Sequence, residues 1–157
     1  MAEITENFPD IFTPEATADL WARLDKLTPE TPALWGKMRV DQMLAHACTP
    51  YEQALGHRND GPNPVMKLML RLFYKKPMTN TKPYSRNLPT APSFIVADRR
   101  EFEKEKARLK DLIQQTEKKG KDFFNGKKQL TLGALNVEEW NNLLYKHTDH
   151  HLRQFGV

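Results

Sequence analysis

The chain has 157 residues, 39% of them hydrophobic and 28% charged, with 24 Lys and Arg against 20 Asp and Glu for a formal net charge of +4. That length suits one domain spanning 1–157 with a single core, and the supply of Leu, Met, Phe and Trp excludes wholesale disorder. One cysteine, Cys48, excludes an internal disulfide and a cysteine-based zinc knuckle, and it fits a reducing, cytoplasmic setting.

The leader, residues 1–15, is acidic and lacks the basic start and apolar run of a secretory signal. Thr13, Pro14 and Glu15 then supply an N-cap, a first-turn proline and a first-turn acid. The first helix is expected over 14–27, with Leu20, Leu24 and Leu27 as its buried stripe. Thr28-Pro29 and Pro32 stop it and keep the link to Trp35-Gly36 non-helical. A second helix, 40–56, carries Val40, Met43, Leu44, Ala47 and Tyr51 on one arc, with His46 beside Met43 at its edge. Cys48 falls on the far side from His46. Pro50 cannot donate to the His46 carbonyl, which predicts a kink or a break there.

Residues 56–62 read as a loop. Pro64–Lys76 is apolar almost all round except for Lys67, Arg71 and Lys75 at four-residue spacing, an extra short helix that packs on the body or on a second subunit, or lies at a membrane surface. Four prolines from Pro77 to Pro92 predict an extended crossover. Residues 98–119 read as a helix burying Phe102, Leu109, Leu112, Ile113 and Thr116 and ended by Gly120, and 121–135 reads as a loop. No stretch approaches the roughly 20 apolar residues of a membrane span. The charges are interspersed without a groove-reading motif, so no nucleic-acid partner is expected.

The last helix opens at Asn136 with Glu138 and Glu139 in its first turn. On a wheel, Trp140, Leu143, Leu144, His147, His151 and Phe155 share one arc, with Glu138, Lys146, Asp149 and Arg153 pointing away and His150 on the flank. Residues four apart stack on one helix face, so His147 and His151 present their imidazoles side by side. Burying two imidazoles costs free energy unless both nitrogens of each find partners. Core histidines bonded to carbonyls or water are one solution. A metal held by His147, His151 and His46 is the other, and three neutral imidazoles suit zinc, nickel or ferrous iron.

The stretches QMLAHACTPYEQALG (42–56) and EEWNNLLYKHTDHHLRQFGV (138–157), with KHTDHHLRQFG the most specific part, resemble the DinB-like superfamily, in a bacterial branch of unassigned function. The resemblance implies an all-α four-helix bundle, up-down-down-up, with a long crossover between its second and third helices. It also implies a metal triad of one histidine in the second helix and a HxxxH pair in the last, which fall on His46, His147 and His151. Characterised relatives use bacillithiol or mycothiol. The turn before the last helix, KKQLTLGAL, departs from the His-Pro-containing turn of the branch.

Two function classes stand open on the sequence. One is a divalent-metal protein acting on a small-molecule, thiol-bearing substrate, a transferase or hydrolase in which the metal activates thiol or water. Gln42, Gln53, His150 and Gln154 are then candidates for supporting the ligands or touching substrate, and no catalytic base is assigned. The other is a non-catalytic interaction protein with structural histidines. A homodimer is expected in either case.

Overall fold

In the computed structural model, which describes residues 7–90 and 92–157, the chain is mostly helical. Among the described residues five α-helices run in order: α1 (Pro14–Asp25), α2 (Val40–Ala54), α3 (Pro64–Thr79), α4 (Phe102–Phe124) and α5 (Val137–Gln154). A 3-10 turn, Pro92–Phe94, lies in the crossover before α4. Between α4 and α5 the strands β1 (Lys128–Gln129) and β2 (Gly133–Ala134) pair antiparallel, Lys128 opposite Ala134. Residues 1–6, read as the start of an acidic leader, and Ala91 of the crossover lie outside the described residues.

Local chemistry sets the helix starts. The Thr13 hydroxyl accepts from the Ala16 amide at 3.3 Å, leaving Pro14 at the position where a missing N–H costs nothing. Asn136 and Glu139 cap α5 reciprocally, the Asn136 side chain accepting from the Glu139 amide at 2.8 Å and the Glu139 carboxylate from the Asn136 amide at 2.9 Å.

Packing then joins α2 to α4 and α5, α1 to α4, α4 to α5 and α3 to α5. Leu20 and Leu24 of α1, Met43, Leu44 and Tyr51 of α2, Leu109 and Ile113 of α4, and Trp140 and Leu144 of α5 are buried in one cluster. Inside it the Tyr51 hydroxyl meets the Thr148 hydroxyl at 2.7 Å, tying α2 to α5 one turn from the histidines.

The structure redraws several of the expected elements. The second helix continues through Pro50, so of the two outcomes expected there the break does not occur: the helix is buried over most of its circumference and packing outweighs the one lost hydrogen bond. The third extends through Pro77 to Thr79, whose hydroxyl donates to the Lys75 carbonyl at 2.7 Å. The fourth starts at Phe102 and not Asp98, since Asp41 and Gln42 of α2 hold the Ala97–Arg100 backbone: Asp41 accepts from the Arg100 amide at 2.8 Å. At Gly120, φ 73° and ψ 176° interrupt the helix, and one further turn buries Phe124. The segment 121–135, read as a loop, contains the β1–β2 ladder.

Lys146 and Asp149 are buried, contrary to the wheel. The α5 helix has neighbours on more than one side. Lys146 Nζ donates to the carbonyls of Pro77 (2.7 Å), Asn80 (2.8 Å) and Lys82 (3.1 Å), and Asp149 pairs with Arg23 of α1 at 2.8 Å and with Arg153 at 2.9 Å. Among the described residues, no helix is long and apolar enough to cross a membrane.

Candidate metal centre

His46 projects from the middle of α2, and His147 and His151 project from successive turns of α5. Because α2 packs on α5, the three rings converge: one ligand-capable nitrogen from each lies within 4.8 Å of the others, and ring centroids are 4.7 to 4.8 Å apart.

Two ring orientations are set by neighbouring acceptors. His46 Nδ1 lies 3.0 Å from the Phe94 carbonyl, which can only accept, so Nδ1 carries the proton and Nε2 is bare. His151 Nδ1 lies 2.8 Å from Gln154 Oε1. The Gln154 amide cannot be reversed, because its Nε2 donates to the Trp35 carbonyl at 3.0 Å. His151 Nδ1 therefore donates, and its Nε2 is also bare. An N–H turned outward to a carbonyl or amide, with the other nitrogen free, is the arrangement that orients metal-ligating histidines.

His147 supplies the third nitrogen. Its Nε2 is 3.0 Å from His46 Nε2, while its Nδ1 is buried and has no hydrogen-bond partner among the described residues. Either tautomer of a metal-free His147 leaves something unsatisfied. With the proton on Nδ1, a buried donor is orphaned and two bare Nε2 lone pairs face each other; with the proton on Nε2, the buried Nδ1 lone pair is orphaned. Two nitrogens each ~2.0–2.1 Å from one zinc stand about 2.8–3.4 Å apart at right or tetrahedral angles, so the His46–His147 separation of 3.0 Å fits a shared cation.

Burial holds all three imidazoles below the ordinary histidine range. It lowers His46 against the opposing hydrogen bond to Phe94, and it lowers His147 well below the usual value, with the neighbouring histidines adding to the effect. His151 is brought down to about 3, again chiefly by burial. The trio is neutral at pH 7, the form that donates to metals.

The remaining candidates divide. Gln154 orients His151. His150 lies outside the trio, edge-on to Trp35 and Tyr84 with centroids 5.7 and 5.6 Å away, and its ring is 5.2 Å from that of His151. Gln42 does not reach the imidazoles in its hydrogen bonds. It accepts from the Arg39 amide at 3.1 Å and donates to the Ala97 carbonyl at 3.2 Å, fixing the strand of crossover that presents Phe94. Gln53 donates to the Asp60 carbonyl at 3.2 Å and accepts from Gln129 at 3.3 Å, joining α2 to the loop and the ladder. Cys48 is buried, donates to the Leu44 carbonyl at 3.2 Å, and has its thiol pushed up to about 12 by burial.

The parts that sequence reading missed are backbone: the Phe94 and Trp35 carbonyls. Gly36 belongs with them, since its φ of +81° and the 2.8 Å from its would-be Cβ to Gln154 Nε2 exclude a side chain there. The Trp35-Gly36 pair was the available signal. Away from the trio, a cavity of about 510 Å³ lies between α3 and the start of α5, and another of about 140 Å³ lies beside Arg58 and Arg108. A scan of protein-family models and searches of curated proteins and of solved structures return no match to the chain.

Proposed function

We propose that the chain is a DinB-like metal protein. In this reading α1, α2, α4 and α5 make the up-down-down-up four-helix bundle, α3 is the extra helix, and residues 80–101 are the long crossover. The Nε2 atoms of His46, His147 and His151 hold one divalent cation, zinc, nickel or iron. The observation that carries the reading is the pair of fixed tautomers: Phe94 and Gln154 each take the outer N–H of a histidine and leave its Nε2 lone pair facing the same small space.

When bound, such an ion supplies Lewis acidity that brings the pKa of a coordinated water or thiol toward neutrality. The chain's own groups do the rest. Gln154 and the Phe94 carbonyl orient ligands, and Asp149, engaged by Arg23 and Arg153, is withheld from proton transfer. Trp35, Tyr84 and His150 form an aromatic wall beside His151, against which the apolar part of a small thiol substrate can rest. The reaction class is a thiol-dependent transfer or a hydrolysis.

The test is metal analysis of untagged protein incubated with zinc, nickel or ferrous iron and then desalted. One ion per chain is expected for the native protein and for His57→Ala in the exposed loop, and none for His46→Ala or His147→Ala. Native protein without stoichiometric metal returns the histidines to a structural role.

A further inference from the structure

The cavity of about 510 Å³ between α3 and the start of α5 has two walls of opposite polarity. On the α5 side Glu138 and Asn142 stand four residues apart on one face. Asn142 is only 4% exposed, and its Nδ2 donates to the Thr79 carbonyl at 2.9 Å. That bond fixes the amide and leaves its Oδ1 at the cavity wall, accepting no hydrogen bond among the described residues. A polar atom on so buried a side chain ordinarily has a partner. The Glu138 carboxylate beside it has none among the described residues either.

The α3 side presents donors. Lys75 is engaged, its Nζ donating to the Ala134 carbonyl at 3.2 Å and lying 4.0 Å from Glu139. The Arg71 guanidinium rests against Gly133, where a Cβ would meet it at 3.3 Å, and neither it nor the Lys76 ammonium has a hydrogen bond or ion pair among the described residues. Asn80 continues this wall. Its Oδ1 accepts from Lys146 Nζ and from the Lys82 amide, each at 3.1 Å, so its Nδ2 is an unengaged donor.

We propose that this cavity binds a small acidic zwitterion, an amino acid or dipeptide with one more carboxylate than ammonium groups. With Lys75 and Glu139 offsetting each other, two cations and one carboxylate line the space, and such a ligand is their complement. Its ammonium donates to Glu138 and Asn142 Oδ1, and its carboxylates accept from Arg71, Lys76 and Asn80 Nδ2. A plain dianion satisfies the donors but leaves the Glu138–Asn142 wall unmet, and a diamine does the reverse. The volume falls in the range of small-molecule sites. None of the three clustered histidines lines this cavity, so the proposal stands apart from the metal reading.

The side-chain amide NMR signals of Asn80 and Asn142 in the metal-free full chain read the site directly. L-glutamate should shift both and saturate at millimolar concentration. Glutarate, which lacks the ammonium, and putrescine, which lacks the carboxylates, should bind about tenfold more weakly. Glu138→Gln should bring glutamate down to the level of glutarate without weakening glutarate, and Arg71→Gln should weaken glutamate about tenfold. Both side chains are exposed, so circular-dichroism melting should barely move. The proposal is overturned if glutamate shifts neither amide, if glutarate binds as well as glutamate, or if Glu138→Gln keeps the preference. A shift that sodium chloride reproduces overturns it as well.

Discussion

The Gln154 amide is held on both sides, by the Trp35 carbonyl and by His151, in a space that Gly36 keeps open. Gly36→Ala adds backbone strain of about 1–3 kcal/mol at a positive φ and drives a methyl group into the amide. On the metal reading, affinity should fall by roughly 10- to 100-fold, the usual range for losing a partner that orients a ligand. Competition with a chelating dye measures this. Gln154→Ala should lose affinity similarly without the backbone strain, and unchanged affinity in both variants would show that the amide does not position the ring. The depressed histidines also set a pH dependence. Unfolded, they return to about 6.5, so between that value and the folded one of about 3 for His151 the unfolded chain binds protons that the folded chain refuses. Stability of the metal-free protein therefore rises with pH across that window and levels off above it. The melting midpoint should drop on going from pH 7.5 to pH 5, and a flat profile over that range would contradict the buried neutral trio.

At the scale of elements, Lys146 ties α5 to the point where α3 becomes the crossover. Burial brings its amine down to about 8, while the carbonyls of Pro77, Asn80 and Lys82 favour the ammonium form, so it carries its charge at neutral pH. Lys146→Met should cost about 2–4 kcal/mol in urea unfolding, because it removes the charge-assisted hydrogen bonds that a buried amine makes to the carbonyls of Pro77, Asn80 and Lys82, and amide exchange should quicken near Asn80. A loss below about 0.5 kcal/mol, the range of an ordinary surface substitution, would refute that role. This contact marks where sequence reading stopped. The helices were legible because Leu20 and Leu24, Met43 and Ala47, and Leu109 and Ile113 repeat at helical spacing and because Thr13 and Asn136 are strong caps. The convergence of three histidines could be anticipated from the apolar faces that carry them. Lys146 and Asp149 were misread because a wheel grants each helix one partner, whereas α5 has α2, α3 and α4 against it and Arg23 of α1 reaching its Asp149. The Phe94 and Trp35 contributions were not legible because main-chain carbonyls leave no trace in residue type.

For the molecule as a whole, the candidate ligands join segments 101 residues apart. A cation at a hundred times its folded-state dissociation constant adds at most about 2.7 kcal/mol, reduced by whatever affinity the unfolded chain has for it. For a chain of this size that amounts to a rise of about 5–11 °C in the melting midpoint. Differential scanning fluorimetry with zinc should show the rise, a chelator should reverse it, and His46→Ala should abolish it; an unmoved native midpoint would count against the site. The two kinds of spacing within the trio act at different times. His147 and His151 need only one helical turn to face the same way, so an ion meeting the unfolded chain can clamp that turn before any tertiary contact exists. His46 arrives when α2 packs. On the metal reading a cation would serve first as a staple on a nascent helix and last as a lock between two halves of the chain, so refolding rate and final stability should respond to different zinc concentrations.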